Sequence, residues 1–289
     1  MRDYFRALLI FRPLNLLMIG SFQICTFFFL DFKNQVEDLR DPTLYLMVLA
    51  LLLVTAGGYA INDYFDRKAD KENKPNKCYF NLWNPTLFWS VYLIVNIGGV
   101  VVGYLVSPTI ALLMALLSAI LFTYSALFQR LMLIGNLIVS LCTAFSIYEV
   151  YLVFPDTNFA LTLFFTIMAF LLTLTRELVK DVEDKQGDSL AGYQTLPIVI
   201  GNSRAIMFAQ GALVFTIVFF LMIHYQWIST LFSGTLLYVY YAYNILCVVL
   251  PMWLILVRLG TAQYTADYSR LSSGLKYVMA TGVASMLLF

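Results

Sequence analysis

The chain has 289 residues, 61% of them hydrophobic and 12% charged, with 18 Lys and Arg against 17 Asp and Glu for a net charge of +1. A soluble domain carries about twice that charged fraction, so the composition excludes a soluble globular protein and indicates an integral membrane protein; the near-zero net charge excludes a nucleic-acid binder built on a basic face. The four cysteines (Cys25, Cys78, Cys142, Cys247) form no CxxC pair and His224 is the only histidine, which excludes a His/Cys zinc site and a Ser-His-Asp relay.

Residues 1–12 carry Arg2, Arg6 and Arg12 and show no cleavable signal pattern. Nine apolar runs long enough for a membrane helix follow, at about 13–31, 43–61, 86–106, 109–128, 132–154, 158–176, 204–223, 229–257 and 274–289. The first opens on Arg12-Pro13-Leu14-Asn15. The second passes directly into Asn62-Asp63-Tyr64-Phe65-Asp66-Arg67-Lys68-Ala69-Asp70, and then Asn73-Lys74-Pro75-Asn76-Lys77. Ser107-Pro108 is a turn signal between the third and fourth runs, and Tyr124-Ser125 to Gln129-Arg130 closes the fourth. The fifth contains Gly135-Asn136 and, near its outer end, Glu149, which is expected to reach water. After the sixth comes Asp181-Val182-Glu183-Asp184-Lys185-Gln186-Gly187-Asp188, preceded by Arg176 and Lys180. Pro251 is placed to kink the long eighth run.

Sixteen of the 18 cations fall in the N-terminal segment and the loops after the even-numbered runs, including Arg270 and Lys276 after the eighth; only Lys33 and Arg40 lie in the others. This bias predicts a cytoplasmic N-terminus, with both acidic clusters on the cytoplasmic side.

The two clusters share one spacing, D-x-x-D-x-x-x-D, 118 residues apart. On a helix, steps of three and four bring Asp63, Asp66 and Asp70, and likewise Asp181, Asp184 and Asp188, into a sector about 60° wide. Asn62 extends the first. Like charges so close repel, and a divalent ion would relieve them. Hard oxygen ligands suit Mg2+, which favours one or two carboxylates plus substrate phosphate. Two clusters flanking a cavity could hold two ions bridged by a diphosphate. The nearby cations Lys74, Lys77, Arg176 and Lys180 could take the remaining phosphate charge or serve only as positive-inside anchors.

These motifs, with the Arg12-Pro13-x-Asn15 start and the nine helices, resemble the UbiA superfamily of intramembrane prenyltransferases over nearly the whole chain. Asn73-Lys74-Pro75, Arg176-Glu177-x-x-Lys180-Asp181 and Thr195-Leu196-Pro197 with Gly201 look like the branch containing digeranylgeranylglyceryl phosphate synthase. The resemblance implies an all-α polytopic bundle around a central cavity, one domain over 1–289, and transfer of a prenyl group from a polyprenyl diphosphate to a lipophilic acceptor such as a prenylglyceryl phosphate. It implies Mg2+ on Asn62 and the six aspartates, and substrate contacts from Arg12, Asn15, Lys74, Lys77, Tyr124, Arg130, Arg176 and Lys180. Tyr64, Phe65 and Tyr124 are candidates to face an allylic cation. The sequence departs from the family at Gln129, where a lysine often falls; Arg130 would point about 100° away on a continuous helix. It departs again at Cys78-Tyr79-Phe80-Asn81. An aromatic quinone precursor is the other acceptor considered, and a cation-coupled transporter is the reading from another class. The expected location is the plasma membrane of a bacterium or archaeon, with the active site facing the cytoplasm. The oligomeric state is left open.

Overall fold

The computed structural model describes residues 6–30, 40–73, 79–223, 226 and 234–288. Among these there is no β-strand. Eight helices are long and apolar enough to cross a membrane: α2 (Pro42–Asn73), α3 (Pro85–Val106), α4 (Pro108–Ala126), α5 (Ile134–Val153), α6 (Phe159–Ala191), α7 (Asn202–Ile223), α8 (Gly234–Leu259) and α9 (Thr265–Leu288). Ahead of them, α1 (Pro13–Phe29) is apolar and 17 residues long. Eight of the expected runs overlap these long helices, and the first overlaps α1, which is shorter than a full span of about 20 residues; residues 31, 229–233 and 289 of the expected runs lie outside the described residues.

Proline sets several of the starts. It occupies the first position of α1, α2, α3 and α4, where its missing N–H is no loss. Asn84 and Ser107 cap α3 and α4 by accepting backbone N–H groups of Thr86, Leu87 and Ile110. Ser107 also ends α3, its N–H bonding to the Gly103 carbonyl, so one residue stops one helix and starts the next.

Two helices run well beyond their apolar parts. α2 continues through Asn73 and α6 through Ala191, so both aspartate clusters are helical, as their spacing anticipates.

The chain falls into two compact units. Among the described residues, one comprises 6–24, 40–138 and 186–194, and the other 25–30, 139–185 and 195–288. In the first, α2, α3 and α4 pack together. Small residues permit the approach: a Cβ on Gly99 would lie 2.6 Å from Val54 Cγ2 and 3.0 Å from the Ala50 carbonyl oxygen. The 3-10 turns Leu9–Phe11 and Tyr79–Leu82 rest against α2, in an aromatic cluster containing Tyr64, Phe65, Phe80, Trp83, Phe88 and Trp89.

In the second unit α8 contains a π-helical turn, Ile245–Val249, just before Pro251. Pro251 has no N–H for the Cys247 carbonyl; the Thr281 hydroxyl of α9 donates to it instead, at 2.8 Å. Two expectations are corrected in this unit. Glu149 does not reach water: it is fully buried on α5, because its face of the helix is covered by protein. Arg270 and Lys276 lie on α9 and not in a loop. The polar first turns of that helix start at Thr265, where Asp267 accepts the Tyr264 N–H, and an apolar run that begins at 274 starts too late to include Arg270, while Lys276 lies inside that run.

Candidate active site

The site can be built within the first unit, starting from Arg12. The turn Leu9–Phe11 ends with Arg12 in the left-handed region, φ 49° and ψ 60°, its N–H bonded to the Leu9 carbonyl at 3.0 Å. Such a conformation costs a non-glycine residue about 1–3 kcal/mol and persists where the surroundings impose it. Here it turns the guanidinium onto α2. Nη2 donates to Asn62 Oδ1 and Asp63 Oδ1, each at 3.1 Å, and the guanidinium lies 5.0 Å from the centre of the Tyr59 ring. Asp63 is buried, and a buried carboxylate requires such a partner. Burial opposes the Arg12 charge, but Asp63, Tyr59 and Asp70 outweigh it and hold the group above its ordinary range.

Asn62 extends the contact to Asp66. Its Nδ2 donates to Asp66 Oδ2 and to Gln129 Oε1, both at 2.8 Å. Gln129 lies in the 3-10 turn Phe128–Arg130 that follows α4, and its Nε2 donates to the Ser125 carbonyl at 2.6 Å and to Tyr193 Oη at 3.4 Å. Tyr193 Oη donates to Asp66 Oδ1 at 3.0 Å. Burial pushes the Tyr193 hydroxyl well above the ordinary tyrosine range, and the Asp66 carboxylate adds to the shift. It stays protonated and remains a donor.

Tyr193 arrives here through the end of α6. Gly192, at φ 79°, closes the helix: its own N–H bonds to Ser189, and the Tyr193 N–H to the Asp188 carbonyl at 2.9 Å. This is a Schellman ending. The last turns of α6 lie directly on α2. The Gly187 N–H donates to Asn73 Oδ1 at 2.8 Å and Gln186 Nε2 to Glu72 Oε1 at 3.1 Å. A Cβ at Gly187 would stand 2.5 Å from the Ala69 carbonyl oxygen, so only glycine fits. The seat brings Asp188 of the second motif, itself buried, close enough for its charge, like that of Asp66, to act on Tyr193.

The remaining expected residues are distributed as follows. Asp70, Asn15 and Tyr124 are half-buried in the first unit. Arg130 is exposed; the helix ends at Ala126, so Arg130 is not on a continuous turn, and its guanidinium lies 5.5 Å from the Tyr193 ring centre. Lys74 and Lys77 lie outside the described residues. Asp181, Asp184, Arg176 and Lys180 belong to the part of α6 in the second unit. There Glu177, buried, pairs with Arg176 Nη1 and, at 3.7 Å, with Lys180 Nζ.

Tyr193, Gln129 in its bridging role, and Glu177 escaped the sequence reading. Glu177 sits among the expected residues and could have been found as the i+1 and i−3 neighbour of Arg176 and Lys180. Tyr193 follows the helix end and carries no periodic signal.

Among the described residues, no three His, Cys, Asp or Glu are gathered to hold a metal on protein ligands alone. Asp63 turns to Arg12 and Asp66 to Tyr193 and Asn62, so hydrogen bonds relieve the repulsion that the spacing alone would leave. The donor set still fits Mg2+, which takes one or two carboxylate oxygens and completes its shell with water and substrate phosphate.

A family model described as the UbiA prenyltransferase family matches residues 23–278. Digeranylgeranylglyceryl phosphate synthase of Methanothrix thermoacetophila is 34% identical over 208 residues, spanning 71% of this chain and 75% of that protein. The same-named protein of Haloquadratum walsbyi is 38% identical over 176 residues, 59% of this chain and 60% of its own length. Among solved structures, one from work on digeranylgeranylglyceryl phosphate synthase in membranes superposes with a TM-score of 0.68 at 20% identity, covering 99% of this chain and 98% of that one. A UbiA homolog from Archaeoglobus fulgidus bound to DMAPP and Mg2+ gives 0.63 at 15% identity, covering 98% of this chain and all of that one. At these identities the structural likeness concerns the fold.

Proposed function

The chain belongs to the UbiA prenyltransferase family, and from that premise we propose that it transfers a prenyl group from a polyprenyl diphosphate to a lipophilic acceptor at the site formed around Asp66. The observation that carries the reading is the seating of α6 on α2 through Gly187, which gathers carboxylates from both aspartate motifs around Tyr193.

In this reading Asn62, Asp63, Asp66 and Asp70 on α2, with Asp181, Asp184 and Asp188 on one side of α6, are the candidates to hold Mg2+. Bound there, Mg2+ would neutralise charge growing on the leaving diphosphate. Arg12 orients Asn62 and Asp63, and Tyr193 orients Asp66. Arg176, Lys180, Lys74, Lys77 and Arg130 are the candidates for the remaining phosphate charge, with Asn15 and Tyr124 lining the substrate path. The allylic C–O bond breaks with its electron pair leaving on the diphosphate; the acceptor oxygen bonds to the allylic carbon and releases its proton. Aromatic side chains beside the first motif, Tyr64 and Phe65 among them, would exclude water that quenches the cation.

The names of the relatives support a prenylglyceryl phosphate acceptor over an aromatic quinone precursor. Family membership argues against the transporter. The cation bias supports a cytoplasmic N-terminus and a site open to the cytoplasm; the archaeal relatives support an archaeal-type plasma membrane, and the family match across both units supports one functional domain.

The test is purified protein in Mg2+ with a panel of prenyl diphosphates and acceptors, analysed by lipid mass spectrometry. A prenyl ether of a prenylglyceryl phosphate is the expected product, lost when EDTA removes the metal. Uptake of labelled substrate into sealed vesicles with no new covalent product would contradict the proposal.

A further inference from the structure

The hydrogen bonds around Asp66 have only one consistent polarity. Arg12 can only donate and an ionised Asp66 can only accept. Asn62 must therefore turn Oδ1 to Arg12 and Nδ2 to Asp66. The second Nδ2 hydrogen goes to Gln129 Oε1 at 2.8 Å. That fixes Gln129 with Nε2 toward the Ser125 carbonyl and Tyr193 Oη. Accepting from Gln129, Tyr193 directs its single hydrogen to Asp66 Oδ1 at 3.0 Å. Asn62, Asp66, Tyr193 and Gln129 thus close a ring in which Asn62 donates to one Asp66 oxygen and Tyr193 to the other.

The ring makes a demand on position 129: its side chain must accept from Asn62 and donate to Tyr193. A lysine ammonium has three donors and no acceptor. It could not take the Asn62 Nδ2 hydrogen and would compete for Asp66 as a cation. Glutamine supplies both polarities, and the ring closes through Tyr193.

We propose that Tyr193 is a positioning residue for Asp66, and that Gln129 clamps Tyr193 and Asn62 so that the Asp66 carboxylate is held in one orientation toward a divalent cation. The proposal rests on the reading of this site as a Mg2+–diphosphate site. Hydrogen bonds that orient a ligand carboxylate typically change metal affinity about 10- to 100-fold. The Arg130 guanidinium over the ring and the Gln194 N–H bonded to the Arg130 carbonyl at 2.8 Å hold the Tyr193 segment from the other side. Tyr193→Phe therefore removes the hydroxyl while keeping the ring contact.

The experiment is equilibrium binding of Mn2+ alone to the full-length protein in detergent, followed by the EPR signal of free Mn2+. Tyr193→Phe is expected to weaken binding about 10-fold, and in transfer assays most of its loss should fall on the KM for Mg2+ and little on kcat. Gln129→Lys should weaken Mn2+ binding as well. The double variant should lose no more than the worse single one, since the two residues act on the same carboxylate. Wild-type affinity in both single variants, or fully additive losses, would overturn the positioning role; should Tyr193→Phe not fold, Gln129→Leu, which removes both polarities without adding a charge, decides in its place: weakened Mn2+ binding supports the role and wild-type binding overturns it. Asp66→Asn separates the two claims. Unchanged Mn2+ affinity in Asp66→Asn contradicts the metal reading itself, whereas weakened binding there beside a wild-type Tyr193→Phe contradicts only the role given to Tyr193.

Discussion

The two aspartate motifs have the same spacing and the same helical setting, yet their surroundings differ. On α2, Asp63 is buried against Arg12 and Asp66 is held by Asn62 and Tyr193. On α6, the cations preceding the motif are both taken up by Glu177, and Asp188 is buried where the helix end lies on α2. Spacing fixes which carboxylates share a side of a helix. In the first motif the donors come partly from within the helix, Asn62 four residues before Asp66, and partly from far along the chain, Arg12 and Tyr193. The first is paired with an arginine and a tyrosine from outside its helix; beside the second, Arg176 and Lys180 share Glu177.

If both motifs serve one diphosphate, removing either should have the same large effect. Asp66→Ala and Asp184→Ala should each lower prenyl transfer by at least about 1000-fold with thermal stability in detergent nearly unchanged. Full activity in either variant would break the equivalence. Arg12→Ala attacks the asymmetry. It strands a buried carboxylate beside a half-exposed arginine and should destabilise the protein by about 1–3 kcal/mol, read as a fall in Tm that Asp63→Asn in the same chain partly restores. Gly187→Ala attacks the junction. A methyl group 2.5 Å from the Ala69 carbonyl must push the helices apart, costing about 1–3 kcal/mol together with a loss of transfer as Tyr193 and Asp188 move. An alanine variant of wild-type stability and activity would remove the seat from the account. The smallest effect is expected at Glu177. Glu177→Gln releases Arg176 and Lys180, so the apparent affinity for inorganic diphosphate should rise about threefold; no change would separate those cations from phosphate binding.

The helices and the extension of both motifs beyond the apolar runs were legible from hydropathy and spacing, because one helix's periodicity is local information. What was not legible required the packing. Glu149 sits near the end of an apolar run, where a one-dimensional measure brings it near water, yet it is fully buried. Arg270 lies on α9, in polar first turns that give no apolar signal. Gln129 was visible as a departure, but its meaning depends on Tyr193, 64 residues away. Arg12 was recognisable beside Pro13, whereas its left-handed backbone, which aims the guanidinium at Asn62 and Asp63, leaves no mark in the residue type.

The central claim is that carboxylates from the two motifs act together in prenyl transfer. It is tested most directly by giving wild-type, Asp66→Ala and Asp188→Ala proteins geranylgeranyl diphosphate, a prenylglyceryl phosphate and Mg2+, and following the ether product by lipid mass spectrometry. Product is expected from the wild type and none above background from either folded variant. Wild-type rates in either variant, or no product from the wild type with any prenyl acceptor, would contradict it.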